Sequence, residues 1–128
     1  MKNILITIAA VLLVGCGPTA KEMDFWTAAQ LGHIKVVKEH LNNGVDVNSK
    51  RNNSPNGSTA LALAVVMEHY DIVEFLITNG ADVNATSSMD KTILDYAKFG
   101  GSKKDKQIAD LLRKHGAKTA EELKAEEK

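Results

Sequence analysis

"NNGVDVN" at residues 42–48 and "TNGADVN" at residues 78–84 are nearly the same seven letters, 36 positions apart. The match extends well beyond them. His33 falls on His69, Val37 on Val73, Gly44 on Gly80, Asp46 on Asp82 and Asn48 on Asn84, while upstream Ala28 falls on Ala64. A third copy follows, with Thr59 on Thr92, Leu61 on Leu94 and Ala64 on Ala97 at a spacing of 33, then Ile72 on Ile108 and Gly80 on Gly116 at 36. The three extra residues of the third copy fall between its two helices, around "GGSKKDKQ". Self-similarity at such a period marks a stack of small units, none of which can bury its apolar face alone.

Local chemistry gives each unit its shape. Thr59 and Thr92 suit helix starts, where a hydroxyl accepts an otherwise unpaired backbone N–H. Ile72, Val73, Leu76 and Ile77 recur on one helical face. Gly44, Gly80 and Gly116 each follow such a segment and can take the left-handed conformation that ends a helix. The Asp and Asn of "DVN" suit the turn that follows, because their side chains bond nearby backbone. Each "NG-x-DVN" is therefore a helix stop followed by a turn.

The pattern resembles the ankyrin repeat, with its Thr-Pro-Leu-His-x-Ala signature. Copy two, "NGSTALALAVVMEHYDIVEFLITNGADVNA", carries Thr59, Leu61 and Ala64 of that signature, and His69 of the Gly-His step, with Glu68 in place of the glycine. Copy one lacks Thr-Pro but keeps "AAQLGHIKVV". The resemblance implies an all-α, ankyrin-repeat solenoid of about three helix-turn-helix repeats with connecting β-hairpin turns. It spans residues 23–118, with repeats at about 23–53, 54–86 and 87–118. The outer copies look like caps: Phe75 and Leu76 become Glu39 and His40 in copy one, and Ile77 becomes Arg113 in copy three. Residues 119–128 read as a charged tail or short helix, with Thr119 and Glu122 spaced as a capping box.

The first residues differ in kind. "MKNILITIAAVLLVGC" has a lysine, an apolar run from Ile4 to Val14, then Gly15 and Cys16. That run is too short to span a bilayer, which takes about 20 residues, but it fits a secretory signal. "LVGC" resembles the lipobox of bacterial lipoproteins. The resemblance implies a signal peptide at 1–15, lipidation of Cys16 and a linker at 16–22; the alternative is a plain export signal with a cysteine there by chance. An anchored domain would ride near the membrane, on the periplasmic face of the outer one if the host has two.

Chemistry is sparse. With 16 basic and 16 acidic side chains, no nucleic acid partner is forecast, since that usually needs a basic face. The four histidines lack the spacing of a zinc helix, and no phosphate loop or serine-nucleophile motif appears. No catalytic residue, metal, cofactor or small-molecule substrate is expected. The resemblance instead implies a protein partner, held by hairpin tips and by the variable positions that end each first helix. Those positions are Gln30 and Leu31, Val66 and Met67, Phe99 and Gly100. The tips are Pro55, Asn56 and Ser58, then Ser88, Met89 and Lys91. Leu31, Val66, Met67 and Phe99, with Met89 at the rim, form either an apolar recognition stripe or packing against neighbouring repeats. Trp26, at the signature histidine position, shields the open end of the stack or joins that surface. A membrane-tethered interaction module in the envelope is the expected function; an inhibitor or immunity-type protein is the alternative.

Overall fold

The structure, a computed structural model, describes residues 22–53, 58–87 and 89–128. Seven α-helices lie among them: α1 (Phe25–Leu31), α2 (Ile34–Asn42), α3 (Ala60–Val66), α4 (Tyr70–Thr78), α5 (Ile93–Phe99), α6 (Lys103–Lys114) and α7 (Ala120–Glu126). The first helices stack as α1, α3, α5 and the second helices as α2, α4, α6. One core runs through all three repeats, from Met23 and Phe25 through Leu61, Ile72 and Leu76 to Leu94, Ile108 and Leu112. The fold is the expected all-α solenoid.

The helix starts are built from the residues that foretold them. The Thr59 hydroxyl accepts the Ala62 N–H at 3.2 Å, and Thr92 forms a reciprocal capping box with Asp95. Copy one has no threonine there, and Asp24 takes the role one position later, accepting the Thr27 N–H at 2.7 Å. Gly44, Gly80 and Gly116 end the second helices at φ 90°, 89° and 88°. A second left-handed position joins the helices of each repeat, held by Gly32, Glu68 and Gly101 at φ 85°, 58° and 75°. A non-glycine residue in that region stores backbone strain. Glu68 is tied there by its carboxylate, which accepts the Ser102 hydroxyl at 2.9 Å.

Two sequence expectations change. The extra residues of copy three form no longer loop; they add a turn to the second helix, so that α6 has 12 residues where α4 has 9. The turn aspartates do bond nearby, Asp46 and Asp82 each accepting the N–H of the Asn two residues on, at 2.9 Å. The asparagines do not; they reach across to the next repeat. Asn48 donates to the Gly80 carbonyl (3.2 Å) and accepts the Asp82 N–H (2.7 Å). Asn84 repeats this with Gly116 (3.2 Å) and Lys118 (2.8 Å). Phe75 is only half-buried, its ring lying under the Lys38 ammonium at 5.2 Å, whereas Leu76 is fully enclosed.

The end copies are finished by polar contacts. His40 Nε2 meets the Met23 carbonyl at 2.8 Å with its ring edge-on to Phe25. At the other end α7 begins on a Thr119–Glu122 capping box. Arg113 donates to Glu122 at 3.1 Å, and the Ala120 N–H donates to Asp95 at 3.0 Å.

Candidate functional site

Between first-helix face and hairpins lies a concave surface. Each hairpin is closed by a single antiparallel bridge, Lys50 with Thr59 and Thr86 with Thr92. The Arg51 N–H donates to the Ser58 carbonyl (3.1 Å) and the Ser87 N–H to the Lys91 carbonyl (2.8 Å). A cleft of about 260 Å³ opens between these two fingers. Ala62, Leu63, Val66 and Ile93 give it apolar lining; Ser58, Ser87, Lys91 and Tyr96 add polar groups. The Tyr96 and Ser87 hydroxyls meet at 2.9 Å and brace the second finger.

The base of the first finger is fixed to α1. Arg51 donates to Gln30 Oε1 at 3.3 Å and to Thr27 Oγ1 at 3.4 Å. Burial raises the Asp24 carboxyl, but the Thr27 N–H and hydroxyl, the Arg51 charge and the Trp26 N–H outweigh it and hold it below the usual aspartate range. The Trp26 indole donates to the Ser49 carbonyl at 3.0 Å, so this side chain ties the arm of the first finger to α1.

The residues singled out in the sequence divide between two places. Val66, Ser58 and Lys91 share the cleft. Leu31, Met67 and Phe99 do not line it; they mark the loops joining first to second helices. The neighbour-packing alternative does not describe the five apolar residues, since Leu31 is 54%, Val66 57%, Met67 46%, Phe99 94% and Met89 74% exposed. Gln30 is engaged internally, its side chain by Arg51 and its carbonyl by His69 Nε2 at 3.0 Å. Asn56, Pro55, Ser88 and Cys16, with the segments at 1–15 and most of 16–22, lie outside the described residues.

Sequence reading missed the cleft floor at Leu63, Ile93 and Tyr96, and exposed Tyr70 at the start of α4. An aromatic directly after the Gly-His step was the available signal for Tyr70. Nothing in the period distinguishes Leu63 from core, because it lies between two buried positions, Leu61 and Ala64. Among the described residues no three His, Cys, Asp or Glu side chains gather to hold a metal ion. None of the helices described is long and apolar enough to cross a membrane.

Comparison with known proteins agrees with this geometry. A family profile described as ankyrin repeats (3 copies) matches residues 25–122. The chain is 34% identical over 92 residues to the ankyrin repeat and KH domain-containing protein mask-1 of Caenorhabditis elegans, which covers 71% of this chain and 3% of that one. It is 43% identical over 61 residues to the ankyrin repeat protein YahD of Escherichia coli strain K12, covering 48% of this chain and 29% of the relative. Over 55 residues it is 44% identical to the human ankyrin repeat domain-containing protein 40, covering 43% of this chain and 14% of the relative. The chain thus spans less than a third of each of these relatives.

Proposed function

Since the chain belongs to the ankyrin-repeat family, we propose that it is a protein–protein interaction module of a bacterial cell envelope, tethered to the membrane through acylated Cys16 and binding its partner in the cleft between the two fingers. The carrying observation is the cleft itself: Leu63, Val66 and Ile93 line an open hollow, with Lys91 and Ser58 at its sides. An apolar hollow with a few placed polar groups is the usual form of a binding site. The partner this fits is a protein segment that inserts an apolar side chain and offers a carbonyl or carboxylate to Lys91. The family works by binding, and the mechanism here requires no catalytic group.

The tether reading is supported by residues alone: the apolar run before "LVGC", and a cysteine that is the chain's only one. Seven residues from Cys16 to Glu22 reach at most about 25 Å. The domain would therefore stay beside the bilayer.

In-cell crosslinking of the full chain beside a Val66→Glu/Lys91→Glu variant tests the cleft. One protein captured by the parent and lost with the variant, whose helical circular dichroism is unchanged, identifies the partner. Equal capture by both removes the cleft from the contact. Labelled fatty acid incorporated by the parent and not by Cys16→Ser tests the tether; an unlabelled parent ends that reading.

A further inference from the structure

Apart from Val66 at the cleft and Met89 on the second finger, the large exposed apolar side chains lie along one edge of the stack. The three loops joining first to second helices stand side by side, coupled by His69 to the Gln30 carbonyl and by Ser102 to Glu68. Their tips carry Leu31, Met67 and Phe99. Phe99 is the extreme case: at 94% exposure its ring is almost wholly in water. Burying such a ring is worth far more than leaving it wet, so its position asks for an apolar phase supplied from outside.

Charge says what kind. Lys98 precedes Phe99, and Lys103 and Lys104 follow it across the Gly100–Gly101 turn. The turn is tight, because a Cβ at Gly100 would come within 2.0 Å of Asp105 Oδ2. Asp105 is buried with the Ser102 N–H on its carboxylate, and the half-buried Glu68 holds the Ser102 hydroxyl, so these two carboxylates are held within the loop pair while the lysines stand outside it. All three lysines are exposed. Lys103 and Lys104 occupy the first turn of α6, where the positive end of the helix disfavours cations. Helix stability does not explain them.

We propose that this loop edge is a membrane-contact surface, with Phe99 and Met67 entering the interfacial layer of an anionic bilayer and Lys98, Lys103 and Lys104 meeting its lipid phosphates. Apolar side chains set among lysines are the chemistry that holds proteins at such an interface. A protruding ring on a row of loop tips suits a yielding, flat surface better than a shaped protein pocket. Leu31 extends the row, while the lysines set the strongest contact at the third repeat. The fingers lead into the N-terminal ends of α3 and α5, and the cleft between them runs along α3 as far as Val66; Phe99 and the three lysines lie outside its lining, at the end of α5 and the start of α6. The contact stands on the patch itself and does not require acylation of Cys16.

Phe99→Trp in the full-length chain reports the contact, with Trp26 alone in the parent as background. The chain is mixed with vesicles of phosphatidylcholine, or of phosphatidylcholine with phosphatidylglycerol, each containing brominated lipid. The new tryptophan should be quenched in the anionic vesicles only, and Trp26 spared. Lys103→Glu/Lys104→Glu in the same background should reduce the quenching several-fold, as should about 0.5 M salt, which screens exposed charges. Absence of quenching, equal quenching in neutral vesicles, or indifference to the lysine reversal overturns the proposal. Shielding of the new tryptophan only by a captured acidic protein also overturns it. The mass of the N-terminal peptide is read in parallel. An unacylated chain that is still quenched keeps the patch and loses the tether, and an acylated chain without quenching does the reverse.

Discussion

Asn48 and Asn84 each clamp one donor and one acceptor of the following repeat. Their recurrence was legible; their reach was not, because a spacing of 36 shows that a residue is repeated without showing whether its side chain turns inward or across. Each bond contributes about 0.5–1.5 kcal/mol net. Asn48→Ala or Asn84→Ala is therefore expected to destabilise the stack by about 1–3 kcal/mol in urea unfolding. Phe75 and Leu76 are neighbours that the helical pattern did separate. The helical face read from the letters holds Leu76 with Ile72, Val73 and Ile77; Leu76 is enclosed, and Phe75, off that face, is half-buried. Leu76→Ala should cost about 2–5 kcal/mol, while Phe75→Ala should fall clearly below it, since a ring half in water leaves little cavity behind.

Between residue and stack, the helices and their joints were read with uneven success. Caps at Thr59, Thr92 and Thr119 follow from hydroxyl chemistry and were visible. The extra turn of α6 was not, because periodicity locates an insertion without saying whether it coils. The joint at Glu68 gives a direct test of backbone strain at φ 58°. Glu68→Ala and Glu68→Gly both lose the Ser102 bond, but only glycine relaxes the left-handed conformation. The glycine variant should be the more stable of the two by about 1 kcal/mol in paired urea melts. Acid should loosen the same caps. Burial raises Asp95, but the Thr92 and Ala120 N–H groups, the Thr92 hydroxyl and Lys91 bring it below 3.8 overall. Glu122 is lowered from 4.5 chiefly by the Thr119 N–H and by Arg113. Both folded values lie below the unfolded ones. Their stabilisation is thus complete above the ordinary carboxylate range and disappears as pH falls through the folded values. A melting temperature that drops below about pH 4, and drops less in Asp95→Asn, is the expected profile.

At the scale of the molecule, the three-unit architecture was the most legible feature, because repetition is written in the letters themselves. The two surfaces were less so: the apolar residues at helix ends were found, but which of them face the fingers and which the loop edge depends on how the repeats stack. That stacking also sets the mode of unfolding. A repeat protein is held by its units and by the interfaces between neighbours, and long arrays can come apart piecemeal. This chain has three units and one contiguous core reaching from Met23 to Ala117. Loss of the middle repeat would leave both outer ones without their neighbour. Trp26 reports the first repeat, where its indole holds the Ser49 carbonyl, while far-ultraviolet dichroism reports every helix. In urea the two curves should superimpose, as two-state unfolding requires. In Leu76→Ala they should move together to lower urea with the slope unchanged. The substitution lies in the second repeat and Trp26 in the first, so a joint shift measures coupling between them. A dichroism transition that splits, or a Trp26 curve that stays where the parent has it, would show repeats that fold separately and would refute the single-core account.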